Sequence, residues 1–164
     1  MIYNFETEVE VNLDFDYEKT FRDVVDAVID YFKCPYDCEV SLLLVDNDSI
    51  RDINSETRGI DNPTDVLSFP NVNFVTPGNF DDVDDSDDIF EPDSGELILG
   101  DIVLSLEKVI AQAKEYNHST LREYAFLIAH SMLHLIGFDH MEEDERIEME
   151  NYQDIIMNIL GIIR

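Results

Sequence analysis

Three of the chain's four histidines fall within the eleven residues HSMLHLIGFDH, 130–140. His130 and His134 are four apart, so on a helix both project from one face about one turn apart. Gly137 can adopt a left-handed conformation and turn the chain back. That turn brings in His140 as the third corner of a triangle. Imidazole nitrogens suit zinc, and three neutral ligands leave the ion its full double charge and an open coordination position. A structural zinc site is normally closed by a fourth ligand, often cysteine. Cys34 and Cys38 lie far upstream, so the expectation is an open, catalytic Zn2+ site with His130, His134 and His140 as ligands, with closure by one of the chain's many carboxylates as the alternative. Asp139 beside the third ligand is either a turn residue or an acceptor that orients an imidazole. His118, the remaining histidine, precedes the helix and reads as a loop residue.

The same spacing holds the metal in a large class of zinc proteases, where a glutamate directly follows the first histidine. Here that position is Ser131. Zinc brings bound water to a pKa of about 7, so hydroxide needs no dedicated base. Peptide hydrolysis also requires proton delivery to a poor amine leaving group, and Ser131 cannot supply it. Phosphodiester cleavage instead spreads negative charge over equatorial oxygens, which a cation and an arginine stabilise. The chain has six arginines: Arg22, Arg51, Arg58, Arg122, Arg146 and Arg164. Arg58 is the candidate catalytic residue, because it ends a helix in SETRGIDNPTDVLSFP, a turn-rich segment leading into a strand. Its plainer role is a charge complementing the C-terminal end of the helix dipole.

These residues need elements to position them. At 164 residues the chain fits one domain with a real core. Residues 5–13 alternate as a first strand. In 17–33, Phe21, Val24, Val25, Val28, Ile29 and Phe32 share one helical face. Residues 38–46 read as a buried strand, 48–59 as a short helix ending on Gly59, and 66–70 as a strand closed by Pro70. A strand at 96–105 is interrupted at Gly100-Asp101, and Ser105 caps a helix over 106–116. Thr120 and Glu123 form a capping box for a helix to Gly137 that is apolar nearly all round and therefore central. An amphipathic helix at 141–160 follows. The class is α+β: one domain over 1–164, a small mixed sheet packed against helices, with a buried helix carrying the metal ligands.

Residues 71–95 break the pattern. NFDDVDDSDDIFEPD (79–93) carries eight acidic residues in fifteen, without the spaced ligands of a calcium loop. It reads as a solvated, mobile insertion. Ten Lys+Arg stand against 38 Asp+Glu, a formal charge of −28. Such a chain has no broad basic footprint, so an anionic substrate must meet a local positive site. CPYDC makes no disulfide framework. No signal peptide or membrane span is visible, and the cytoplasm is the expected location.

Taken in order, NSETRGIDNPTDVLSFP, LGDIVLS and HSMLHLIGFDH resemble the YbeY family of bacterial endoribonucleases and ribosomal RNA maturation factors. The resemblance spans about residues 37 to 155. It implies a zincin-like fold, zinc held by His130, His134 and His140, and Arg58 in catalysis or RNA contact. It also implies single-strand RNA cleavage in small-subunit ribosomal RNA 3′-end maturation and ribosome quality control. The implied partners are ribosomal RNA and the small ribosomal subunit, and neither DNA nor membrane; the chain's acidity adds the expectation that a ribosomal protein supplies positive surface. Two features depart from the family. Ser131 replaces a usual glycine, which predicts crowding near the metal, and the 79–93 segment is unusually acidic. The rival readings are a metallopeptidase with a base from elsewhere and a non-catalytic ribosome-assembly factor with structural zinc.

Overall fold

The computed structural model describes residues 1–83 and 87–162. Asp84 and Asp85 of the acidic segment and the terminal Arg164 lie outside the described residues. The elements run β1 (Ile2–Thr7), α1 (Tyr17–Tyr31), β2 (Cys38–Val45), α2 (Asn47–Arg58), β3 (Val66–Pro70), β4 (Leu97–Ser105), α3 (Leu106–Glu115), α4 (Thr120–Leu135) and α5 (Glu143–Leu160). The sheet order is β1-β2-β4-β3. Strands β1, β2 and β4 are parallel, and β3 returns antiparallel on the edge. The sheet is thus small and mixed, and α1 serves as the crossover that a parallel β1–β2 pair requires.

A one-residue bulge aligns the main core. Glu39 faces Ile98 but Val40 faces Gly100, leaving Leu99 as the extra residue of β4. Side chains alternate across a strand, so an extra residue inverts the phase. Leu97 and Leu99 before the bulge therefore share the helix-covered face with Ile102 and Leu104 after it. Gly100 makes the bulge possible: its φ is +143°, and a Cβ there would sit 2.2 Å from the Phe69 carbonyl oxygen. Helices α1, α3, α4 and α5 contribute to that core, while Ile50 of α2 packs with Val45, Leu67 and Val103 in a second cluster.

Helix α4 is buried on nearly every side, from Tyr124 and Ala125 to Met132, Leu133 and Leu135. The Tyr124 hydroxyl donates to the Tyr17 carbonyl at 2.8 Å, tying α4 to α1. No helix of the described residues is long and apolar enough to cross a membrane.

Three expectations need correction. The first strand lies at 2–7 and not 5–13. Thr7 donates through Oγ1 to the Val9 carbonyl at 2.7 Å and bends the chain off the sheet. Val9, Val11 and Phe15 still pack against the core from irregular backbone, so their alternation reflects burial without strand pairing. The cap of α4 is Ser119, whose Oγ accepts from the Arg122 N–H at 3.1 Å. Glu123 points inward instead, at 4% exposure. The acidic insertion is anchored and not simply solvated. Val72, Phe80 and Val83 are buried in the main core, and the Gly78 N–H donates to the Ile136 carbonyl at 2.9 Å. Apolar residues interleaved with the aspartates hold the segment down, which its acidic composition concealed.

Candidate metal centre

His130 and His134 project from the last two turns of α4, and the turn after it delivers His140. Gly137 makes that turn with φ +103°, and a Cβ there would lie 2.8 Å from Phe74 Cβ. Donor nitrogens of the three histidines all lie within 4.8 Å of one another. The two Nε2 atoms of His130 and His134 face each other at 3.1 Å. A tetrahedral ion bonded to nitrogen at about 2.0–2.1 Å separates two ligand nitrogens by roughly 3.3 Å, so the triangle has the size of a metal site.

The other ring nitrogens are occupied. His134 Nδ1 is held by the Phe138 carbonyl at 2.9 Å, and His130 Nδ1 by the side-chain amide of Gln153 on α5. The Phe138 carbonyl can only accept, so it takes the proton of His134 Nδ1 and leaves that ring's Nε2 lone pair for a metal. Burial and the neighbouring His134 and His140 push His130 down to about 4. His134 is lowered chiefly by burial, with His140 and Arg58 adding, against the Phe138 carbonyl and Asp139. Both shifts favour the neutral rings that metal ligation needs. The donor set, its spacing and its outer hydrogen bonds fit a zinc ion.

Asp139 accepts from the His140 backbone N–H at 2.7 Å, so its carboxylate shapes the turn. Gln153 was missed in the sequence. It stands among Met149, Ile156 and Met157 on the buried face of an otherwise acidic helix, and a polar residue on that face was the available signal. Ser131 is fully buried, and its hydroxyl is hydrogen-bonded to that of Ser68 on β3. Successive helical residues are rotated by about 100°, which turns Ser131 toward the sheet. The expected crowding at the metal does not arise.

Arg58, at the end of α2, lines a cleft of about 600 Å³ together with Ser68 and all three histidines. No carboxylate pairs with it among the described residues. His118 lies in the turn between α3 and α4, outside the triangle. The sulfurs of Cys34 and Cys38 are 3.6 Å apart and do not join the histidine group.

An α+β domain whose buried helix carries two histidines, with a third on its exit turn, has the architecture of a zincin-like hydrolase. This chain belongs to the YbeY family: the family model described as Endoribonuclease YbeY matches residues 2–161. A protein named Endoribonuclease YbeY from Lachnospira eligens is 53% identical over the full length of both chains. Another of that name, from Lachnoclostridium phytofermentans, is 52% identical, also over both full lengths. A Thermotoga maritima protein solved in solution shares the fold, with TM-score 0.56 at 21% identity, over 98% of this chain and 92% of that one.

Proposed function

We propose that this protein is a zinc-dependent, single-strand-specific endoribonuclease. Its proposed role is small-subunit ribosomal RNA 3′-end maturation and ribosome quality control, in the cytoplasm. The whole chain acts as one hydrolase domain with the acidic insertion at 71–95. The observation that carries this reading is a single cleft holding both the histidine triangle and Arg58. Relatives named as endoribonucleases support RNA as the substrate.

His130, His134 and His140 would hold the ion, which when bound supplies a water of lowered pKa and positive charge beside the scissile phosphate. Arg58, exposed and without an ion-pair partner among the described residues, binds non-bridging phosphate oxygens through its planar fork. It stabilises the charge that accumulates on them as the leaving oxygen departs. Gln153 and the Phe138 carbonyl keep the ligand rings oriented. A peptidase base is poorly provided for. Asp65 and Asp139, which line the cleft, accept from the backbone N–H groups of Val66 and His140, and the position after His130 faces β3. A small-subunit ribosomal protein supplies the positive surface that this chain lacks.

Metal analysis of the untagged protein, with cleavage of a ribosomal RNA fragment with and without chelator, tests the reading. About one zinc per chain and chelator-sensitive cleavage are expected. Arg58→Ala lowers cleavage about 10²–10³-fold and leaves the circular dichroism spectrum unchanged. Chelator-insensitive cleavage removes the metal from the mechanism, and peptide turnover without RNA cleavage makes the protein a peptidase. Full RNA cleavage by the Arg58 variant removes that residue's role.

A further inference from the structure

The histidine triangle opens on a second side. Between α4 and α5 lies a cavity of about 760 Å³ that shares His130 and His140 with the Arg58 cleft. Its volume is that of a small-molecule site. Tyr116 and Phe126 give it aromatic surface, and the Arg122 guanidinium lies over the Phe126 ring, 5.6 Å from the centroid. Arg122 has no ion pair among the described residues, and its Nε is buried without a hydrogen-bond partner. Arg146, the other arginine of the cavity, is neutralised by Glu150 at 3.0 Å. In a chain of charge −28, a guanidinium without an ion pair among the described residues, stacked on a ring in a cavity that reaches the histidines, is a vacant recognition surface.

The remaining lining residues decide what fits. Glu123, Glu150 and Asp154 all border the cavity, and carboxylates oppose a phosphate. They accept hydrogen bonds from the amino and imino groups of a nucleobase. Aromatic rings and an arginine plane are also what unpaired bases stack on.

We propose that the α4–α5 cavity binds one unpaired nucleobase of the RNA strand, adjacent to the phosphate at the metal centre. Arg122, Phe126 and Tyr116 form the stacking surface. This rests on the endoribonuclease reading and deepens it. A base must be unstacked to enter, so the cavity selects single strands and sets the register of cleavage.

The test couples protein and substrate changes. A labelled single-stranded oligoribonucleotide is compared with versions in which each nucleotide in turn is abasic. Cleavage is measured with the zinc-loaded protein, and binding by fluorescence anisotropy with chelator present. One abasic position beside the cut is expected to lower kcat/KM and affinity by about tenfold to a hundredfold. Arg122→Leu should produce a similar loss on the intact strand, after which the abasic change costs no more than about twofold further. Tyr116→Ala, at a residue 55% exposed, repeats the test without a threat to folding. Equal abasic penalties in wild type and both variants, or no sensitive position, overturn the proposal. Binding that retains the coupling without any cleavage keeps the base site and overturns the nuclease reading. Chelator-sensitive cleavage with no coupling keeps the nuclease and overturns the base site.

Discussion

Gln153 performs no chemistry, yet its side-chain amide holds the His130 ring at Nδ1. Partners of this kind contribute about 10–100-fold to metal affinity. Gln153→Leu should weaken zinc binding by that factor in competition with a chromogenic chelator, with helix content unchanged. Unaltered affinity would show that the ring needs no such partner. Glu123 supplies a prediction in pH. Burial first, and the charge of Asp65 second, raise its carboxyl above the ordinary 4.5, against an opposing effect of Arg122. A carboxyl raised in the folded state stabilises fully below its unfolded pKa, and that contribution is lost as pH rises through the folded value. Glu123→Gln should therefore gain melting temperature over wild type at pH 7 and very little at pH 4. A gain that is the same at both values would remove burial of the charge as its cause.

Helix α4 and its exit turn form one device, since the helix aligns two of the histidines and the turn delivers the third. Gly137→Ala meets both a left-handed backbone and the Phe74 side chain. It should cost about 2 kcal/mol, roughly 4–8 °C in melting temperature for a chain of this size. Zinc affinity should fall with it, because His140 moves with the turn. A variant that melts like wild type would show that the turn relaxes freely. The helix, its burial and its two ligands were legible because a 3.6-residue period and a terminal glycine are local signals. The first strand was misplaced because Val9, Val11 and Phe15 alternate with exposed residues like a strand, yet they are only half-buried against the core and pair in no strand. The acidic segment was misread because eight acidic side chains hid the anchors Phe80 and Val83.

At a formal charge of −28 the molecule as a whole opposes polyanions. Arg58 and Arg122, without ion pairs among the described residues, line separate clefts that both reach the histidine triangle. Arg22 is also without an ion pair among the described residues but lines neither cleft. Each phosphate contact on a single strand contributes about −0.7 to the slope of log K against log salt. Arg58 alone is placed on a phosphate, while Arg122 stacks on a base, so one contact gives a slope of roughly −0.7, against about −4 or steeper for a protein making six. Anisotropy titrations with a single-stranded oligomer and chelated protein, over a range of salt, measure this directly. A slope near −4 would mean that other positive groups carry the RNA. Salt should also raise the melting temperature, because it screens the repulsion among carboxylates.

The sequence by itself determined the histidine triangle, the buried helix beneath it and the mixed α+β class. Each of these follows from periodicity and spacing along one segment. Tertiary structure alone decided that Gln153 holds His130, that Ser131 turns to Ser68, and that Arg58 and Arg122 line two different clefts that both reach the histidines. Those relations join elements distant in the chain. They depend on which faces pack and on the one-residue bulge that keeps both halves of β4 facing the helices, and no local pattern records them.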